Sequence, residues 1–431
     1  MVHLFAHLKG ILFAMLHSIT TLKNMLTART SFLRNLAFSL LLVSCLACKK
    51  EIEIPVSPGK AFGFRDSSAA NPKHARYRAL VDKYVRKGYT GLIVSIYSPQ
   101  YGQWLGAGGY ARIENREKMD IANIHYIESV TKTFTAVAVM MLVEEGKIRL
   151  DEPMKTYLPE IYWKDISNGD RITVRQLLDH SSGITNYTEN LKFISDAFNE
   201  YTIELTTEDY INYIKHKKAL FEPGTKYSYS NADYTLLAKI MDNVTGDHAS
   251  FMQKRIFDAI GLKHTYYHAS PSYPKPDGLI NSYFDRLGNG KVENVSDVQN
   301  KFTASFIGED GMLSNVYDLT VFSTALFNGQ LLKPSTLAQM QQFRSISQDS
   351  FDYEESGWTG YGLGLARRPT PQGDMIGHGG SLIGGRTEMY YFPSTGVAIA
   401  AAINVGAYAG GPLVDTFPKE FLRELAEMAS E

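Results

Sequence analysis

One stretch, YIESVTKTFTAVAVMMLVEEGK (Tyr126–Lys147), constrains the fold of this chain more than any other. Val130, Phe134, Val137, Ala138, Met141 and Leu142 recur in steps of three or four, the period of one helix face. This amphipathic run predicts a helix opening at Ser129, stopping at Gly146 and buried against elements the rest of the chain must supply. Further helical spacing runs through ALVDKYVRKG from Ala79, ITVRQLLDH (Ile172–His180), DYTLLAKIMDNVTG (Asp233–Gly246), VYDLTVFSTALFNG (Val316–Gly329) and the closing LVDTFPKEFLRELAEMA.

Strand signals lie towards both ends. TGLIVSIYSP (Thr90–Pro99) is β-branched and bounded by Gly and Pro, and QWLGAGGYARI (Gln103–Ile113) reads as its partner with a glycine-rich bend. GRTEMYYFPSTGVAIAAAIN (Gly385–Asn404) reads as two strands around a Pro-Ser-Thr-Gly turn. Distance along the chain does not stop the two ends from sharing a sheet. The expectation is an α+β body, residues 79–431, with a mostly helical region inserted into a sheet-and-helix region and a cleft between them.

The cysteines divide the chain. Both, Cys45 and Cys48, fall in the first fifty residues, so the body beyond them has no disulfide, thiolate metal site or cysteine nucleophile. Arg29 and Arg34 precede a ten-residue apolar run, Leu36–Cys45, which is too short for a membrane span of roughly 20 residues. Residues 1–48 are therefore expected to be an export leader with its natural start at Met25. LVSC ending at Cys45 resembles a bacterial lipobox, which implies lipidation at Cys45 in preference to Cys48. A plain secretory signal or an uncleaved anchor is the alternative. Residues 49–78, polar with Pro and Gly, read as a tether, and the protein is expected to be exported and held on a bacterial membrane. A net charge of −1 offers no basic surface for nucleic acid.

Three motifs carry chemistry. Ser129-Val-Thr-Lys132 puts a hydroxyl and an amine on one side of a helix start, where a lysine of lowered pKa can take the serine's proton. Its plainer reading is a capping serine and a solvated lysine. Tyr229-Ser-Asn231 offers a phenol to relay a proton and an amide to hold a carbonyl, or else ordinary turn residues with Asn231 as a cap. His378-Gly379-Gly380-Ser381 offers close backbone approach for an oxyanion hole and an imidazole donor or shuttle, or else a glycine-rich hairpin with an exposed histidine.

Taken together and in order, these motifs resemble the serine β-lactamase and penicillin-binding-protein superfamily, in its class C-type branch. LLDHSSGI (Leu177–Ile184), EPGTKYSYSNADYTLLAKIM (Glu222–Met241) and EDGMLSNVYDLTVFSTALFNG (Glu309–Gly329) match the family's connecting segments, and the resemblance spans roughly Ala79–Asn404. It implies a β-lactamase/transpeptidase-like fold, an antiparallel sheet flanked by helices. It also implies Ser129 as nucleophile, Lys132 and Tyr229 as base and proton relay in either assignment, and Asn231 and His378 at the substrate. The N–H groups of Ser129 and Ser381 would form an oxyanion hole beside Gly379 and Gly380. No cofactor is implied.

The expected activity is a hydrolase working through an acyl-enzyme on D-amino-acid peptides of the D-Ala-D-Ala type or on β-lactams. A carboxylesterase with the same site and a non-catalytic ligand-binding scaffold are the rival readings. Three features depart from the family pattern. Glu128 stands where relatives carry a small residue, Glu309-Asp310-Gly311 replaces Ala-Gly-Gly, and SLIGGRTEM lacks Pro-Gly-Phe. Glu309 and Asp310 are expected to face solvent, and Tyr187, Phe221 and Phe306 to lie in loops that wall the cleft. Arg367, Arg368 or Arg386 is a candidate clamp for a substrate carboxylate. His264 and His268 lack a third metal ligand, and no H-E-x-x-H, G-x-S-x-G or nucleotide-binding glycine motif occurs.

Overall fold

A nearly unbroken apolar run, GLIVSIYS, builds the centre of the molecule. In the computed structural model, which describes residues 68–193, 195, 205–269, 276–285, 287, 289–406 and 416–431, this segment is strand β1, Gly91–Ser98. β2 (Gly102–Arg112) and β3 (Glu117–Lys118) follow it, and β4 (Arg344–Ser345), β5 (Gly360–Tyr361), β6 (Ala366–Thr370), β7 (Gly373–Leu382), β8 (Gly385–Phe392) and β9 (Val397–Ile403) come from the other end of the chain. All nine form one sheet in the order β3-β2-β1-β9-β8-β7-β6-β5-β4, every neighbour antiparallel. The two ends meet where β1 pairs β9, Leu92 opposite Ile403 and Tyr97 opposite Ala398. The turn between β8 and β9 falls at Pro393–Gly396, where the sequence placed it.

Successive strand side chains point to opposite faces. Leu92, Val94 and Ile96 of β1 pack with Tyr77, Leu80, Val81 and Tyr84 of helix α1 (His74–Arg86) and with Leu422 and Leu425. The residues between them face the other way, where the Ser95 hydroxyl bonds Thr320 Oγ1 at 2.8 Å. Helices therefore cover both faces, which explains why β1 and β9 read as nearly unbroken apolar runs. Helix α1 starts before Ala79, the boundary read from the sequence. The leader, Met25, Cys45, Cys48 and most of the tether lie outside the described residues.

The helix that opened the sequence reading, α2 (Thr131–Glu144), has no solvent face through its first three turns: every side chain from Thr131 to Leu142 is buried. It is buried all round rather than on one face, as a helix surrounded by protein must be. Its threonines satisfy their hydroxyls on loop carbonyls, Thr133 on Gly364 O at 2.9 Å and Thr135 on Gly308 O at 2.7 Å. The Phe134 ring stacks on Phe322 of helix α4 (Val316–Phe327) with centroids 3.6 Å apart and meets Phe257 edge-on. Helix α3 (Asn231–Thr245) packs beside it within the mostly helical stretch between β3 and β4. Because Phe134 joins the inserted region to the helix over the sheet, Phe134→Ala is expected to cost about 3–5 kcal/mol in urea unfolding.

Candidate active site

The chain reaches Ser129 through a single 3₁₀ turn, Glu128–Val130, that runs directly into α2. The residue capping α2 is Val130, which makes no side-chain cap bond, and the N–H groups of Val130 and Thr131 bond the backbone of the preceding turn. Ser129 is therefore not a cap. Its hydroxyl, half-buried, lies 3.1 Å from Lys132 Nζ, one helical turn on.

Lys132 is fully buried. Its ammonium also donates to Asn231 Oδ1 at 2.7 Å and to the Glu309 carbonyl at 3.1 Å, and it lies over the rings of Tyr229 and Tyr234, 4.9 and 5.7 Å from their centroids. Burial lowers its pKa to about 8, while the charges of Glu309, Asp310, Asp233 and Asp352 oppose the fall. Asn231 is the first residue of α3 and its amide is spent on the lysine, not on a cap. Burial holds the Tyr229 phenol well above its ordinary value, with the Ser129 hydroxyl beside it pulling the other way, so the tyrosine is neutral.

His180, from the LLDHSSGI segment, fixes that tyrosine. Its ring packs 4.4 Å from the Tyr229 ring and is itself held by Asp233 Oδ2, 2.9 Å from Nδ1. The sequence offered a signal in the segment's resemblance but no role for it. His180 also takes a left-handed backbone, φ +54°.

The third motif lies on β7. A Cβ on Gly380 would stand 2.6 Å from Ile127 O and 2.9 Å from Ser129 N, so only glycine lets this strand lie against the nucleophile's backbone. β6 pairs with β7 only as far as Gly377, so among the described residues no strand pairs with the edge from His378 to Leu382 on that side, and this edge is open to a partner. On the other side, Gly379, Gly380 and Ser381 pair with Glu388, Thr387 and Arg386 of β8, and Ser381 is exposed.

His378 is not the exposed histidine of a hairpin. It is fully buried, with Nε2 2.9 Å from Tyr361 OH and Nδ1 2.6 Å from Gly379 O. Burial first, then the Lys132 charge, lowers its pKa to about 3. Both nitrogens of this neutral ring are engaged, and His378 fixes the start of the open edge.

Several other expectations are corrected. Glu309 and Asp310 do not face solvent: both are buried, because Lys132 and the aromatic groups around it enclose that loop. The Glu309 carboxylate accepts from Tyr187 OH and from Thr235 Oγ1, and burial raises it to about 8, against the pull of Lys132. Tyr187 and Phe306 are interior residues packed around Tyr210, not cleft walls. The arginines are otherwise engaged: Arg368 donates to Pro418 O at 2.6 Å, Arg386 is buried beside Glu388, and Arg367 lies over Phe343.

Among known proteins, the Beta-lactamase family model matches residues 77–415. The human mitochondrial serine beta-lactamase-like protein LACTB is 23% identical over 392 residues, 73% of this chain and 68% of the relative. Among solved structures, the D-amino acid amidase of Ochrobactrum anthropi SV3 shares 23% identity with a TM-score of 0.70, over 81% of this chain and 96% of that one. A D-stereospecific amidohydrolase from Streptomyces shares 27% identity with a TM-score of 0.67, over 80% and 98%.

Glu128 has a physical cost. It holds a left-handed backbone, φ +46°, directly before the nucleophile, a conformation that a glycine adopts freely. Its carboxyl is fully buried and, among the described residues, neither oxygen has a hydrogen-bond partner; the neighbouring Thr387 hydroxyl donates to Tyr126 O. Burial, reinforced by the Asp310 charge, drives its pKa well above the ordinary glutamate range. An acid raised in this way costs nothing extra below its unfolded-state value and destabilises progressively as pH rises above it. Glu128→Gln should therefore raise the melting temperature at pH 8 by the equivalent of about 1–3 kcal/mol, and by clearly less at pH 5. An equal gain at both pH values would contradict the assignment.

Proposed function

Because the chain belongs to the Beta-lactamase family, we propose that it is a serine hydrolase that opens amide bonds of D-configured peptides or amides, β-lactams included, through an acyl-enzyme on Ser129. The single observation that carries this reading is the lysine's surroundings. Asn231 Oδ1 and Glu309 O are fixed acceptors that take two hydrogens of the Lys132 amine. The lone pair of the neutral amine then faces Ser129 Oγ at 3.1 Å, ready for its proton.

In this reading the substrate carbonyl lies against the open edge of β7, its oxygen taking the N–H groups of Ser129 and Ser381. Ser129 Oγ bonds to the carbonyl carbon as its proton passes to Lys132 Nζ. Tyr229, neutral and beside Ser129, gives a proton to the leaving nitrogen as the carbon–nitrogen bond breaks, and the resulting tyrosinate is reprotonated from Lys132. Water then enters by the reverse path, freeing the acid and Ser129. The 27% identity with a D-stereospecific amidohydrolase over nearly its whole length supports an amide of D configuration. The basic flank, apolar run and lipobox ending at Cys45 support export and a lipid anchor on a bacterial membrane, where such peptides occur.

Turnover of a D-Ala-D-Ala peptide, a D-amino acid amide and nitrocefin, measured side by side, tests this. Ser129→Ala should lower the rate on the accepted substrate by roughly 10³-fold or more, and turnover at the wild-type rate in that variant would refute the nucleophile. Since the amine is the active form, wild-type kcat/KM should rise with pH through a value near 8.

A further inference from the structure

Lys132 cannot serve as a base unless something fixes its orientation and accommodates the charge it gains. Of its three hydrogen-bond partners, one is the nucleophile and one an amide; the third is the main chain of Glu309. The same residue carries a buried carboxyl group held by two further parts of the chain. Tyr187 OH from the turn after LLDHSSGI and Thr235 Oγ1 from α3 both donate to its Oε1. Thr235 also bonds Asn231 O, so the two acceptors around the amine are tied to each other.

We propose that Glu309 is a positioning residue for the base: its carbonyl aims the Lys132 amine at Ser129, and its side-chain carboxyl, once ionised, balances the charge that Lys132 gains when it takes the serine's proton. This rests on the reading of Ser129 and Lys132 as nucleophile and base. The other groups facing the lysine are Tyr229, Tyr234, His180 and His378, with Asp233, Asp310 and Asp352 as further acids. After burial, which lowers the lysine, Glu309 is the foremost influence on its proton affinity, and it raises it. Reciprocally, Lys132 is the foremost influence holding the Glu309 carboxyl down against burial. A small residue here, as in the Ala-Gly-Gly of relatives, would supply the carbonyl without the charge.

Glu309→Gln keeps the carbonyl and the shape and removes the charge. The readout is the pH dependence of the second-order rate of labelling by a fluorophosphonate, with Ser129→Ala as the unlabelled control. Glu309→Gln should move the acid limb to lower pH by about 1 unit or more, and Glu309→Asp should move it back towards the wild type. Tyr187→Phe, which removes a donor that favours the carboxylate, should move the limb the same way but less far, and it decides the matter if Glu309→Gln does not fold. Labelled variants whose limb stays at the wild-type position overturn this proposal alone. A wild type that is not labelled at all overturns the hydrolase reading and this proposal with it.

Discussion

A buried ammonium governs the arrangement of this molecule. Removing a lysine from water is expensive unless its hydrogens find acceptors, and Lys132 finds them in three parts of the chain: the turn before α2, the first residue of α3 and the loop carrying Glu309. The inserted region must close against α2 for these partners to converge. The threonines of α2 that bond loop carbonyls at Gly308 and Gly364 hold the same closure from the other side of the helix. The geometry that makes the lysine tolerable in the interior is also the geometry that makes it a base.

The sheet has the matching task of bringing β7 to the nucleophile. Its edge past Gly377 is open because β6 ends its pairing there, and Gly380 brings that edge against the backbone of Ser129. His378, locked between Tyr361 and its own strand, keeps the edge in place. Tyr229 is held by the ring of His180, and through it by Asp233. The reacting groups are thus set by packed, neutral aromatic side chains rather than by exposed ion pairs, so their positions depend little on salt.

Much of this was legible in the sequence, for identifiable reasons. β-branched residues between Gly and Pro gave β1, strand-like runs around a Pro-Ser-Thr-Gly turn gave β8 and β9, and three-to-four-residue spacing gave α2, because composition and apolar spacing are dictated by what is buried. The ordered motifs gave Ser129, Lys132, Tyr229 and Asn231 as candidates, and the structure brings them together. What spacing does not encode is the direction of a side chain in a loop. Glu309 and Asp310 read as solvent-facing because acids usually are, yet they are enclosed by a lysine lying elsewhere in the chain. His378 read either as a donor or proton shuttle or as an exposed hairpin histidine, and Tyr361 and Trp358 around it show that it is enclosed. The arginines near β7 suggested a clamp by proximity in sequence, but they point to other partners.

The central claim is that the hydroxyl of Ser129 is the atom Lys132 activates. The most direct test is peptide mapping by mass spectrometry after reaction of the folded protein with a fluorophosphonate at pH 8. The account predicts one adduct per chain, on the peptide containing Ser129 and absent when Lys132 is replaced by Met. An adduct on another serine, or on Ser129 at the same rate without Lys132, would contradict it.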